Sequence, residues 1–141
     1  MHAVPVAVAV EEWRPSIQEI AVLTPAYTRG GFDDDSDGAQ EAGAEHGVYD
    51  DTTSPTEDEV QALIDAACDE IAGRVGAPIT ATHAGLARIA ACWHVAAAIA
   101  GAKMPAGTDD ASGEYRGHAA NYRFSLDRLI ALCNRLGARL A

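Results

Sequence analysis

The residues best placed to do chemistry are Asp33, Asp35 and Asp37, followed by Gly38. In that spacing staggered carboxylates can surround a hard cation such as calcium while the glycine permits a sharp turn. The second half of such a loop is absent: Ala44 stands where the bidentate glutamate belongs and Gln40 where an apolar residue is usual. A solvated acidic loop tip is therefore the better reading. His83, Cys92 and His94 are metal-ligand types, but on one helix residues 92 and 94 point about 200° apart, and 83 and 94 lie three turns apart. They read as a core cysteine and two helix-boundary histidines.

Catalytic signatures are missing as well. There is no H-E-x-x-H, no G-x-S-x-G, no phosphate-cradling glycine loop and no dinucleotide fingerprint. The three cysteines, Cys68, Cys92 and Cys133, form no C-x-x-C pair and fall on apolar helix faces, where a thiol is usually inert. A reducing compartment fits them best, and no cofactor or metal is expected. The chain reads as a protein without chemistry of its own.

The elements that position these residues follow from hydrophobic spacing. With 141 residues, 48% apolar, rich in alanine and only 6% aromatic, the chain reads as one helical domain over 1–141. Pro15 and Ser16 open a short apolar pattern, Ile17, Ile20, Ala21 and Leu23, which fits about two helical turns ending before Pro25. Thr56 with Glu59 forms a capping box for a second helix, whose core face carries Val60, Leu63, Ile64, Ala67, Cys68, Ile71, Ala72 and Val75, and which Gly76 and Pro78 end.

A third helix, about His83 to Ala100, is apolar nearly all round, with Leu86, Ile89, Ala90, Trp93 and Ala97 on one side. Arg88, His94 and its alanine content make it a buried bundle helix and not a membrane span. The last helix repeats Tyr115, Ala119, Tyr122, Leu126, Leu129, Cys133, Leu136 and Leu140 at alternate steps of four and three, a seam of period 3.5. The fold class is all-α: an up-and-down bundle of one short and three longer helices.

Two segments stand outside the bundle. Residues 1–12 carry Val4, Val6, Val8 and Val10 at period 2, with no basic region before them and with Glu11 and Glu12 where a signal-peptidase site would be. They read as an extended arm able to pair with another subunit. Residues 29–54 form a long acidic loop, rich in glycine and carrying Asp33, Asp34, Asp35, Asp37, Glu41 and Glu45.

The formal net charge is -11, and it is unevenly placed. Residues 1–60 hold 14 acids and 2 bases, whereas residues 61–141 hold 7 acids and 8 bases. So acidic a chain does not grip a phosphate backbone by neutralising it. Arg116, Arg123, Arg128, Arg135 and Arg139 make the last helix basic, either as a solvated face or as a docking surface for an acidic partner, such as the front half of a neighbouring copy.

The order of these features resembles the head-to-tail connector (adaptor, or head completion) proteins of tailed bacteriophages. Four stretches carry the likeness. They are Trp13, Pro15 and Glu19 to Leu23 leading to Thr28-Arg29; Asp51 to Glu57 continuing through Val60, Leu63-Ile64-Asp65, Ala67 and Arg74-Val75-Gly76; the alanine-rich third helix; and Ser112, Tyr115, Tyr122, Leu126 and Leu129. The T-x-P-T-x-x-x-V-x-x-L-I-D segment is the most specific part, and the likeness spans nearly the whole chain from Trp13.

The resemblance implies a structural virion protein at the neck, synthesised in the bacterial host cytoplasm and assembled as a ring of about twelve copies. Its partners would be the portal protein, the next neck protein (a head-tail stopper or tail protein) and its own neighbours. DNA would pass through the ring without specific binding, and no membrane would be involved. The loop, with Asp33, Asp34, Asp35, Asp37, Glu41 and Glu45, would face the tail or the channel. Portal or subunit docking would fall to Arg128, Arg135, Arg139 and Leu140, or to Val4, Val6 and Val8. In this chain the loop is more acidic and glycine-rich than the family pattern. The rival reading is a small acidic helical module that imitates DNA to occupy a basic partner. Such a module needs its acids on rigid helices, whereas here they cluster in a glycine-rich loop.

Overall fold

The computed structural model describes residues 6–30, 47–103 and 113–140, with side chains up to residue 135 in the last stretch. Four α-helices form the bundle: α1 (Ile17–Leu23), α2 (Glu57–Val75), α3 (Ala84–Ala102) and α4 (Glu114–Leu140). Two single 3-10 turns, Val10–Glu12 and Pro25–Tyr27, flank α1. The fold is all-α, and among the described residues extended pairing is confined to one antiparallel bridge between Arg29 and Val48.

Local chemistry explains where the helices start and stop. Ser16 and Thr56 each accept a hydrogen bond from the amide three residues on, and Glu19 and Glu59 reach back to the capping amide. Both capping boxes thus satisfy amides that have no partner inside the helix. At the other end of α2, Gly76 turns left-handed at φ 62°, a conformation glycine adopts without a Cβ penalty.

α3 is the central element and packs against α1, α2 and α4. Ala87, Ala90, Ala91, Ala96, Ala97 and Ala100 are buried along it, so neighbouring backbones come close and Val95 and Ile99 fill the remaining space. It is long and apolar enough to cross a membrane by length and composition, and half of that stretch is buried inside the bundle. Its polar interruptions are used internally. Arg88 donates to the Glu12 carbonyl at 3.0 Å and lies 3.8 Å from Glu19, while His94 meets α2.

The core also takes Trp13, Ile20, Ile64, Ile71 and Leu129, each 2% exposed or less. Three details depart from the spacing. Ile89 is half exposed and Ala72 is on the surface, because the bundle covers α2 and α3 along narrower stripes than their apolar residues span. On α4 the seam is buried at Leu126, Leu129 and Cys133 but opens toward Tyr122 and Tyr115. The side chains of Leu136 and Leu140 lie outside the described residues.

The N-terminal arm also differs from the expectation. The Val8 amide donates to the Ile79 carbonyl at 2.9 Å, and Val8 and Val10 pack against the core of their own chain. Residues 10–12 coil into a 3-10 turn, so the valine alternation does not continue as a strand. Val8 is thereby half-buried within its own subunit, Val6 remains 78% exposed, and Val4 lies outside the described residues.

Candidate functional site

Three places on the bundle combine charge, geometry and exposure. The first is the root of the acidic loop. Arg29 and Val48 exchange backbone hydrogen bonds of 2.9 and 3.0 Å, and the Arg29 guanidinium lies 2.8 Å from Asp50. Asp50 also accepts from the Thr52 amide at 2.8 Å and the Thr52 hydroxyl at 2.6 Å. These bonds, the Thr52 hydroxyl first, hold its carboxyl below the usual range. The Asp50 carbonyl accepts the Glu57 amide at 3.0 Å, tying the turn to the start of α2. Arg29 and Val48, on either side of residues 31–46, are therefore held next to each other. Asp33, Asp34, Asp35, Asp37, Glu41 and Glu45, with Gly38 of the half calcium loop, lie outside the described residues.

Sequence spacing treated 29–54 as one loop, yet its return limb is built into the fold. Tyr49 is 3% exposed and its hydroxyl sits 2.5 Å from Thr24 Oγ1. The signal was available in retrospect, since Tyr49 is an aromatic residue among polar and glycine neighbours.

The second place is a groove of about 610 Å³ where α2, α3 and α4 meet, lined in part by Glu70, Arg74, His94, Tyr115, Tyr122 and Arg123. Glu70 accepts a short hydrogen bond from the Tyr122 hydroxyl, and His94 Nε2 lies 2.9 Å from the same carboxylate oxygen. The His94 and Tyr122 rings meet edge-on at 4.8 Å, and Arg74 lies 3.7 Å from Glu70. The Tyr122 bond is the main cause of a lowered Glu70 pKa, and burial raises that of Tyr122. With its carboxylate shared among these donors, Glu70 acts as a tie between three helices.

This cluster was not foreseen from the sequence, which placed Glu70 off the core face and Tyr122 in the seam. The seam tyrosine was the clue, because a half-buried hydroxyl needs a partner. The three metal-ligand types are dispersed. His94 belongs to this cluster, His83 Nδ1 lies 3.9 Å from Cys133 Sγ, and Cys92 faces the core. Cys68 and Cys92 are buried, and burial pushes their thiols up to about 11 and about 12.

The third place is a pair of helix faces. α4 carries five arginines against two acids, and α2 carries six acids against one arginine. Phe124, Arg128 and Arg135 of α4 are exposed, Phe124 by 71%. Asp58, Asp65 and Asp69 of α2 are exposed as well. The backbone of Arg139 and Leu140 continues α4, but their side chains lie outside the described residues.

What the described residues define is a class of fold, an all-α bundle whose acidic and basic outer faces sit on different helices. Comparison of the chain with protein-family models, with curated proteins and with solved structures gave no match.

Proposed function

We propose that the chain is a structural head-to-tail adaptor of a tailed bacteriophage, a subunit that rings the neck between the portal and the next neck or tail protein and completes the filled head. The observation that carries this reading is the root of the acidic segment. A rigid bundle that gathers both ends of residues 31–46 at the Arg29–Val48 bridge can present that segment at one site in every copy of a ring. Asp33, Asp34, Asp35, Asp37, Glu41 and Glu45 then face the DNA path or the tail, and their charge repels phosphates so that the duplex slides without being held. Docking on the portal or on neighbours falls to the basic end of α4, with Arg128, Arg135, Arg139 and Leu140, and to the outermost valines, Val4 and Val6. The bonds within the bundle give the subunit a fixed shape to dock; none of its described clusters is needed as a catalyst.

The test is direct imaging of phage particles produced from the genome that encodes the chain. The expected result is a ring below the portal into which the four-helix bundle fits. Absence of the chain from the particle overturns the reading.

A second reading is favoured by one observation. α2 holds Glu57, Asp58, Asp65 and Asp69 exposed on a rigid helix, which is the arrangement a DNA mimic requires. In that case the chain blocks a basic, DNA-binding protein. Competition between the chain and duplex DNA for such a protein is then the measurement, and no displacement at a hundredfold excess removes this alternative.

A further inference from the structure

The outward stripe of α4 runs through Phe124, Arg128, Ala131 and Arg135, at offsets of four, seven and eleven residues, which a period of 3.6 keeps on one line. All four are exposed, Phe124 by 71%. Arg128 and Arg135 make no hydrogen bond or ion pair with the described residues. An aromatic ring followed along the same stripe by two unpaired arginines is the composition of an interface centre, where phenylalanine and arginine are enriched over the rest of a surface.

The same chain holds a matching surface. On α2, Asp58, Ala62, Asp65 and Asp69 repeat the offsets of four, seven and eleven, and all are exposed. Laid antiparallel, the two stripes set Arg128 against Asp65, Ala131 against Ala62 and Arg135 against Asp58. The charged pairs are spaced equally on both sides, because seven residues rise about 10.5 Å on either helix. The facing alanines let the helices approach closely, and Phe124 falls opposite Asp69, where its ring reaches the small residues on either side, Ala66 and Gly73, which are also exposed. Asp65 is already paired with Arg14, yet its carboxylate remains 58% exposed and has a lone pair to share.

We propose that the Phe124–Arg128–Arg135 face of α4 docks antiparallel on the Asp58–Ala62–Asp65 face of α2 in a second copy of this chain. The contact is heterologous, since the two stripes sit on different helices, and it leaves the α2 face of one copy and the α4 face of the other unused. Copies therefore add head to tail. The pairing rests on charge, spacing and exposure, whereas its closure into a neck ring rests on the adaptor reading above.

Sedimentation of the purified full-length chain at about 20 mM salt, up to about 1 mM protein, tests it. Wild type is expected to associate beyond the monomer, and to do so less at 0.5 M salt. Arg128→Glu with Arg135→Glu, and separately Asp58→Arg with Asp65→Arg, are each expected to weaken association at least about tenfold while keeping the helical circular dichroism spectrum. Mixed in equal amounts, the two variants regain association, because each supplies the face the other has lost. Phe124→Ala, which leaves all charges in place, also weakens it. A monomeric wild type under these conditions, variants that associate as wild type does, or a mixture that stays monomeric overturns the pairing. The two readings fail separately. Absence from the particle leaves the sedimentation result standing, and a monomeric wild type leaves a neck ring to be built by another contact.

Discussion

The hydroxyl of Tyr49 donates to Thr24 Oγ1 at 2.5 Å, while Thr24 passes its own proton to the Ile20 carbonyl at 2.7 Å. This buried chain of bonds joins the return limb of the acidic segment to the end of α1. It converts what the sequence presents as a loose loop into a segment with a fixed root. The Arg29–Val48 bridge lies next to it in the chain.

Tyr49→Phe is expected to cost about 1 kcal/mol of stability, because it leaves the Thr24 oxygen short of one donor in a dry site. Tyr49→Ala is expected to cost about 3 to 5 kcal/mol by opening a cavity. Urea unfolding gives both values. Hydrogen exchange at the Arg29 and Val48 amides should rise in the alanine variant well before exchange in α3 does, since the bridge opens with its support.

Glu70 supplies a pH dependence with a definite sign. Its folded pKa lies below the ordinary glutamate value of 4.5, chiefly through the Tyr122 hydrogen bond. Its contribution is therefore complete above that value and is lost as pH falls through the lower folded one. Glu70→Gln is expected to cost about 1 kcal/mol at pH 7, a modest amount because the side chain is 38% exposed. The difference between the two proteins should close as unfolding is repeated toward pH 3. A gap that stays constant over that range would assign the loss to packing alone.

Gly101 of α3 lies directly against the Tyr115 ring of α4. A Cβ placed there would stand 3.0 Å from Tyr115 Cε2 and 3.1 Å from Cδ2, closer than atoms settle without movement. Gly101→Ala alone is expected to be neutral or destabilising, the gain in helix propensity being offset by displacement of the tyrosine ring. In a Tyr115→Ala background the same change should stabilise by about 0.5 to 1 kcal/mol. The double-mutant cycle reads this sign reversal, and additive effects would remove the contact from the account.

The thiols give a test of core access. Burial raises all three, Cys68 to about 11 and Cys92 to about 12, so at pH 8 thiolate is scarce and shielded. Native protein should react with a thiol reagent at least about a hundredfold more slowly than protein in denaturant, with all three cysteines labelled after unfolding. Fast labelling of Cys92 in the native state would mean that α3 is not the closed centre of the bundle.

The sequence by itself determined the helices. Thr56 with Glu59, Ser16 before an apolar pattern, Gly76 after Val75 and the three-four spacing of α2 and α4 are short-range signals, and each acts within one turn of its own residue. An apolar surface nearly all round, together with its alanine content, was enough to put α3 in the middle. Tertiary structure decided which apolar residues are covered. Ile89 and Phe124 lie outside and Trp13 and Tyr49 inside, because coverage depends on where a partner helix ends and not on the residue's own hydrophobicity. It also decided that Val8 is held by the Ile79 carbonyl of its own chain, that Glu70, His94 and Tyr122 meet, and that Asp58 and Arg135 lie on separate outer faces. Those relations join residues dozens of positions apart, and they are set by how three helices rotate about their axes when they pack, a quantity that local periodicity leaves free.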